Sequence, residues 1–323
     1  MQNQRLTQHL ERVAQLSRAS VSKHFDAYDD IAWDDPEYQI DVHDPIWERG
    51  TDDPLGSTAW YQALPQPIRA RLGLHLVVAQ LKTGVAFESV LSRGLLEFAT
   101  TLPNGAPEFR YAYHEVIEEG QHSLMFQEFV NRSGLHARGL TGIDELSSRW
   151  IPRLGRTSPE LFFLFVLGGE APVDFEQRKA IARDPADIHP LLRKIMRIHV
   201  TEEARHICFA ESYLRTHVPE LSPAAMLRLR IQTPIIFATM SAQMLKPPKN
   251  IVQEYSIPRS VLREAYSDNR QYRQEMLRGL ESVRLLCVDT GIVTPRWVPF
   301  WRALGIWPET TLTPQLQSAC EQS

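Results

Sequence analysis

"HVTEEARH", residues 199–206, sets two histidines and two glutamates within little more than two helical turns, and "HEVIEEGQH", residues 114–122, ends in the same way. Both contain Glu-Glu-x-x-His, as Glu118-Glu119…His122 and Glu202-Glu203…His206. A single Glu-x-x-His carries little weight, because chance supplies roughly one in a chain of this composition. Two copies inside patterns of helical period say more. Residues i and i+3 share a helix face, so each pair presents a carboxylate oxygen and an imidazole nitrogen to one point. Judged by count alone, a solvated Glu–His pair on each helix is an equally good reading.

The sequence around the motifs fixes which helices face each other. Apolar residues recur at three- and four-residue spacing over roughly 70–99, 107–133, 158–183 and 188–216. "TTLPNGAP" (100–107) separates the first pair and "ARDPADIHP" (182–190) the second. Two more helices are expected over 222–246 and 258–291, with "KPPKNIVQEYSIP" between them. No alternating strand pattern is present. The expectation is an all-α chain forming one domain over 1–323. It comprises a four-helix bundle of two hairpins (about 70–216), flanking helices over 222–291, and an N-terminal arm over 1–65. Within the arm, residues 3–25 read as an amphipathic helix. The acidic stretch that follows holds Trp33, Tyr38, Trp47 and Trp60, too much aromatic area to leave unburied.

In an antiparallel hairpin, residues equidistant from the middle of the loop lie at one height. Reflecting Glu119 through "TTLPNGAP" lands on Glu88, and reflecting Glu203 through "ARDPADIHP" lands beside Glu170. Glu97 is half a turn off the face of Glu88 and too near the loop, so it reads as surface; Glu176 is worse placed than Glu170. Each Glu-x-x-His then faces one carboxylate. That is the ligand set of ferritin-like di-iron carboxylate bundles. Carboxylates and imidazoles suit a pair of iron ions and also fit manganese. Burying such carboxylates without a cation costs several kcal/mol each or forces protonation. Glu118 and Glu202 sit about 100° off the metal face, where they either accept the outer ring N–H of a ligating histidine or meet solvent, with Arg205 as a partner. Gly168, Gly169 and Pro172 beside Glu170 suggest a distorted helix.

His199 adds a third imidazole to the stripe of Glu203 and His206. With that His-x-x-x-Glu-x-x-His helix, a lone Glu, a second Glu-x-x-His and another lone Glu, the chain resembles the p-aminobenzoate N-oxygenase family. The similarity covers the whole four-helix core. It implies metal ligands at Glu88, Glu119, His122, Glu170, His199, Glu203 and His206. It also implies two irons, O₂ as co-substrate, an external electron donor and a homodimer. Members of the family trap O₂ as a peroxo-diferric species and oxidise an amine to hydroxylamine, nitroso or nitro product. The substrate expected here is a small arylamine or a carrier-tethered amino acid. One departure stands out. The family's substrate-contacting tyrosine, about two turns before the first Glu, has no counterpart in "VVAQLKTGVAFE", which offers Gln80 and Lys82 instead. The resemblance therefore does not carry p-aminobenzoate over as the substrate. Arg278 and Arg284 are candidate cations for a carboxylate substrate, or exposed helix charges.

Bulk properties narrow the function classes. The chain has 323 residues, 43% hydrophobic, with a net charge of −4 spread along it, so neither nucleic acid nor a membrane surface is an expected partner. Its 3 cysteines (Cys208, Cys287, Cys320) form no framework, which fits a reducing cytoplasm. The polar N-terminus reads neither as a signal peptide nor as a spanning segment. Beside an N-oxygenase, the sequence leaves a C–H hydroxylase with the same centre, and a non-enzymatic iron-binding protein.

Overall fold

The computed structural model describes residues 2–244 and 246–309; Cys320 lies outside them. Among the described residues every regular element is helical. The long helices are α1 (Gln2–Ser22), α2 (Gln66–Ala99), α3 (Pro107–Ser133), α4 (Pro159–Ile181), α5 (Pro190–His217) and α6 (Pro223–Met244), followed by α7 (Arg270–Gly279) and α8 (Glu281–Asp289). Proline in the first turn starts α2 through α5, where its missing N–H costs no hydrogen bond. Gly134 ends α3 at φ 64°, a left-handed cap that a side chain would strain.

α2 packs along α3, and α4 along α5, as the two expected hairpins. α1 lies across α3 and α5, the pair bearing the Glu-x-x-His motifs, while α6 and α7 cover α4. α2 is the one helix among the described residues long and apolar enough to cross a membrane, but half of its most apolar stretch is buried in the bundle.

Between α1 and α2 the arm folds by a repeated device. Asp-Pro opens short turns at Pro36–Tyr38 and Pro45–Trp47, where Asp35 and Asp44 accept from the backbone N–H two residues on. Trp33 and Trp47 are buried, and Tyr38 and Trp60 partly so. Trp47 stacks on His189 at 4.6 Å between ring centroids. The arm backbone runs so close to α2 that a Cβ at Gly73 would fall 1.8 Å from the Trp47 carbonyl oxygen.

One expectation changes. The region 258–291 is not one helix. A short turn of wider helix at Arg263–Ser267 precedes α7, whose start is capped by the Asn269 side chain accepting from Tyr272 N–H, and Gly279-Leu280 separates α7 from α8. α4 runs through Gly168, Gly169 and Pro172, with the proline inside the helix. The glycines also serve close packing. A Cβ at Gly169 would lie 2.2 Å from the Phe87 ring and one at Gly168 2.8 Å from Phe237. Phe87 and Gly169 adjoin Glu88 and Glu170, so this contact sets α2 against α4 at the height of both carboxylates.

Candidate metal centre

Glu119, His122, Glu203 and His206 occupy the seam between α3 and α5, each with 0% exposure. His122 Nδ1 lies 3.1 Å from Glu119 Oε2 and 3.3 Å from Glu203 Oε1; His206 Nδ1 lies 3.1 Å from Glu119 Oε1 and 3.1 Å from Glu203 Oε1. Each carboxylate therefore touches both imidazoles, the arrangement expected of bridging groups. Glu88 arrives from α2 and Glu170 from α4, both buried. His199 Nε2 is 3.5 Å from Glu88 Oε1 and 3.7 Å from Glu203 Oε1. Four overlapping groups of ligand atoms, each within 4.8 Å of one another, comprise these seven residues and Glu115.

An outer layer fixes the three rings. His122 Nε2 donates to Glu202 Oε2 at 2.9 Å and His206 Nε2 to Glu118 Oε2 at 2.7 Å, so each ring is held by the carboxylate preceding the other motif's glutamate. A carboxylate only accepts, so Nε2 carries the proton and Nδ1 turns its lone pair inward once the ring is neutral. Arg205 joins the layer, donating to Glu118 at 2.8 Å and Glu202 at 3.3 Å. The arm closes it with Phe25 N–H on Glu202 Oε1 at 3.3 Å. His199 is turned the other way. Its Nδ1 bonds Gln177 Oε1 at 2.9 Å, leaving Nε2 for the centre.

Buried carboxylates and imidazoles offset one another here: despite burial, the surrounding carboxylates hold His122 and His206 well above the usual imidazole value, and these rings hold Glu119 and Glu203 low. Burial, with Glu119 and Glu203 close by, pushes Glu88 and Glu170 well above the usual carboxylate range. Burial also raises Glu118, yet His206 and Arg205 outweigh it and hold that carboxylate at about 2. Burial drives His199 down to about 4, which makes it a neutral imidazole. Glu88 Oε2, Glu115 Oε2, Glu119 Oε1 and Glu203 Oε2 are buried with no hydrogen-bond partner. Glu119 Oε1 lies beside His206 Nδ1 yet forms no aligned hydrogen bond with it, so the two atoms converge on shared space. Orphaned buried oxygens beside inward imidazole nitrogens fit two divalent cations.

On one side the centre meets a cavity of about 360 Å³. Glu88, Glu170 and His199 form its inner wall, with Phe87, Phe126 and Gln177. Farther out the walls come from the arm and from residues 266–276.

A family model described as "P-aminobenzoate N-oxygenase AurF" matches residues 7–291. The chain belongs to the p-aminobenzoate N-oxygenase family. Among its relatives are the uncharacterized protein Rv0885 of Mycobacterium tuberculosis and the uncharacterized protein Mb0909 of Mycobacterium bovis. Each is 37% identical over 299 residues, 93% of this chain and 88% of the relative. No solved structure matches the chain significantly. Membership in the p-aminobenzoate N-oxygenase family, together with the all-helical architecture, makes the bundle ferritin-like and implies an oxygenase with a di-iron centre.

Within that family frame, the structure gathers Glu88, Glu119, His122, Glu170, His199, Glu203 and His206 in one cluster, and sets Glu118, Glu202 and Arg205 behind it. Glu97 is half-buried and outside every metal-capable group; Glu176 lies on the cavity wall. Arg278 and Arg284 do not reach the cavity. Arg278 pairs with Glu275 at 2.9 Å in solvent, and Arg284 turns back to the Leu277 carbonyl at 2.5 Å. Neither lines the cavity, although Arg278's partner Glu275 does; the cavity's cations are Arg49, Lys179, Arg183 and Lys246. Sequence reasoning missed Gln177 and Glu115. Gln177 lies seven residues after Glu170, on the same helical stripe. Glu115 stands to Glu119 as His199 stands to Glu203, a parallel visible in the two opening stretches.

Proposed function

We propose that the chain is an O₂-dependent di-iron N-oxygenase that converts the amino group of an arylamine or a carrier-tethered amino acid to a hydroxylamine, nitroso or nitro group. The observation that carries this reading is His199, a neutral third imidazole whose Nε2 faces the cluster at the inner end of the cavity. Glu88, Glu119, His122, Glu170, His199, Glu203 and His206 would hold two irons, which supply reduction of O₂ and oxygen transfer to nitrogen. The protein's own contribution is placement. Gln177 keeps the His199 proton on Nδ1, and Glu118 and Glu202 do the same at Nε2 of their histidines. Phe87 and Phe126 give the amine an apolar seat against the inner wall and exclude bulk water. An external electron donor completes each turnover, and a cytoplasmic homodimer is the assembly this reading carries.

The test is anaerobic loading with Fe(II), reduction, and addition of O₂ with a panel of arylamines and carrier-bound amino acids. Mass spectrometry of N-oxygenated products from the wild type, lost in His199→Ala at undiminished iron content, is the expected result. A new C–OH group on the same compounds would overturn it in favour of a C–H hydroxylase. Iron loading far above two per chain without oxygenated product would point to storage.

A further inference from the structure

The two motif helices meet head to tail. His199, four residues before Glu203, has its ring 4.6 Å from that of His122, three residues after Glu119. The mirror-related pair is Glu115, four residues before Glu119, and His206, three after Glu203; these two share a metal-capable group with Glu119. The centre therefore has an approximate two-fold arrangement, with an imidazole in the outlying position on one side and a carboxylate on the other.

Glu115 is 1% exposed, and its Oε2 has no hydrogen-bond partner. One of its oxygens, one of Glu119 and one nitrogen of His206 all lie within 4.8 Å of one another. Tyr111, four residues earlier on α3, and Phe209, whose ring lies 4.5 Å from it, are buried rings that offer no cation. A carboxyl group placed this way loses its hydration and gains no protein donor in return. A cation in the space it shares with Glu119 and His206 would supply the partner that Glu115 Oε2 lacks.

We infer that Glu115 is a further metal ligand, bound to the ion that Glu119 and His206 hold. His199 then serves the centre on the cavity side and Glu115 on the closed side. The inference rests on the two-ion reading above.

The experiment compares wild type, Glu115→Gln and Glu115→Ala loaded anaerobically with Co(II), reading stoichiometry by metal analysis and coordination by visible ligand-field absorption. Wild type should bind two ions per chain. Glu115→Gln, nearly identical in shape, should keep one ion at wild-type affinity, bind the second at least about tenfold more weakly, and change the spectrum. Formate, small enough for the space left in Glu115→Ala, should restore part of the second-ion affinity. Unchanged affinities and spectrum in Glu115→Gln would overturn the inference alone. Failure of the wild type to bind two ions would overturn the two-ion reading with it. Should the variants not fold, a crystal of Mn(II)-loaded wild type decides: a Glu115 oxygen about 2.2 Å from an ion supports the assignment, and one beyond about 3 Å overturns it.

Discussion

Around His199 the centre opens onto a cavity; around Glu115, at the opposite end of the same pair of helices, it abuts packed aromatic rings. The flanking structure differs as much as the residues do. The cavity end is built by the N-terminal arm and the segment around α7. The closed end is capped by α1, with His9 bonded to Ser212 at 2.8 Å and facing Glu108 at 3.4 Å. A nearly symmetric ligand frame thus sits in an asymmetric shell. Chemistry at a two-ion centre needs an open side for substrate and a dry side that holds the ligands still, and the shell supplies that distinction where the frame does not.

The largest expected effect ignores the distinction. Glu203 touches both imidazoles, so Glu203→Ala should empty both metal positions and reduce activity by more than the roughly 100-fold that loss of an outer partner costs. Metal analysis checks it; retention of one ion at wild-type affinity would mean the two ends are independent sites. Glu88→Ala, on the cavity side, should lower metal stoichiometry, whereas Glu97→Ala should leave it unchanged.

Next in size is the outer layer. Glu202→Gln keeps an acceptor for Phe25 N–H but weakens the hold on His122, so metal affinity should fall by about 10–100-fold with little change in unfolding. Mn(II) titration followed by electron paramagnetic resonance reads this. A similar loss in Glu118→Gln would show that the outer layer is symmetric even though the shell is not.

Smaller still is a change confined to the open side. Thr83 lines the cavity five residues before Glu88 on α2 and is not itself one of the seven ligand residues. Thr83→Phe should leave metal content alone and lower kcat/KM for the bulkiest amines by about tenfold while sparing the smallest. An equal loss for every amine would mean that substrates do not enter here.

Much of the frame was legible because it obeys helical arithmetic. Reflection through the hairpin loops finds Glu88 directly and Glu170 within one position, and the i, i+3 and i+4 spacings find Glu119, His122, Glu203, His206 and His199. The same arithmetic applied to "HEVIEEGQH" reaches Glu115, but a carboxylate four residues before a ligand looks like one more helix charge until its burial is known. The crossed pairing of Glu118 with His206 and Glu202 with His122 needs the packing of α3 against α5, which no loop length encodes. The cavity is least legible of all. Its walls join residues 46–57, α2, α4 and 266–276 through tertiary contact, and Arg278 and Arg284, plausible from charge alone, do not line it.

The smallest expected effect isolates the closed side. Glu108 lies 3.4 Å from His9, and although burial raises its carboxyl, His9, a backbone N–H and His217 together outweigh burial and leave it below its ordinary value of 4.5. A carboxyl depressed in the folded state contributes stability above its unfolded pKa and loses it as pH falls through the folded value. Glu108→Gln should therefore cost about 1 kcal/mol near pH 7, read by urea unfolding of the metal-free protein, and the gap to wild type should close as pH drops below about 4. Because no residue of α1 lines the cavity, substrate range should not move. If Glu108→Gln alters amine selectivity as strongly as Thr83→Phe, the two sides are coupled through α3, and the shell is less divided than its packing suggests.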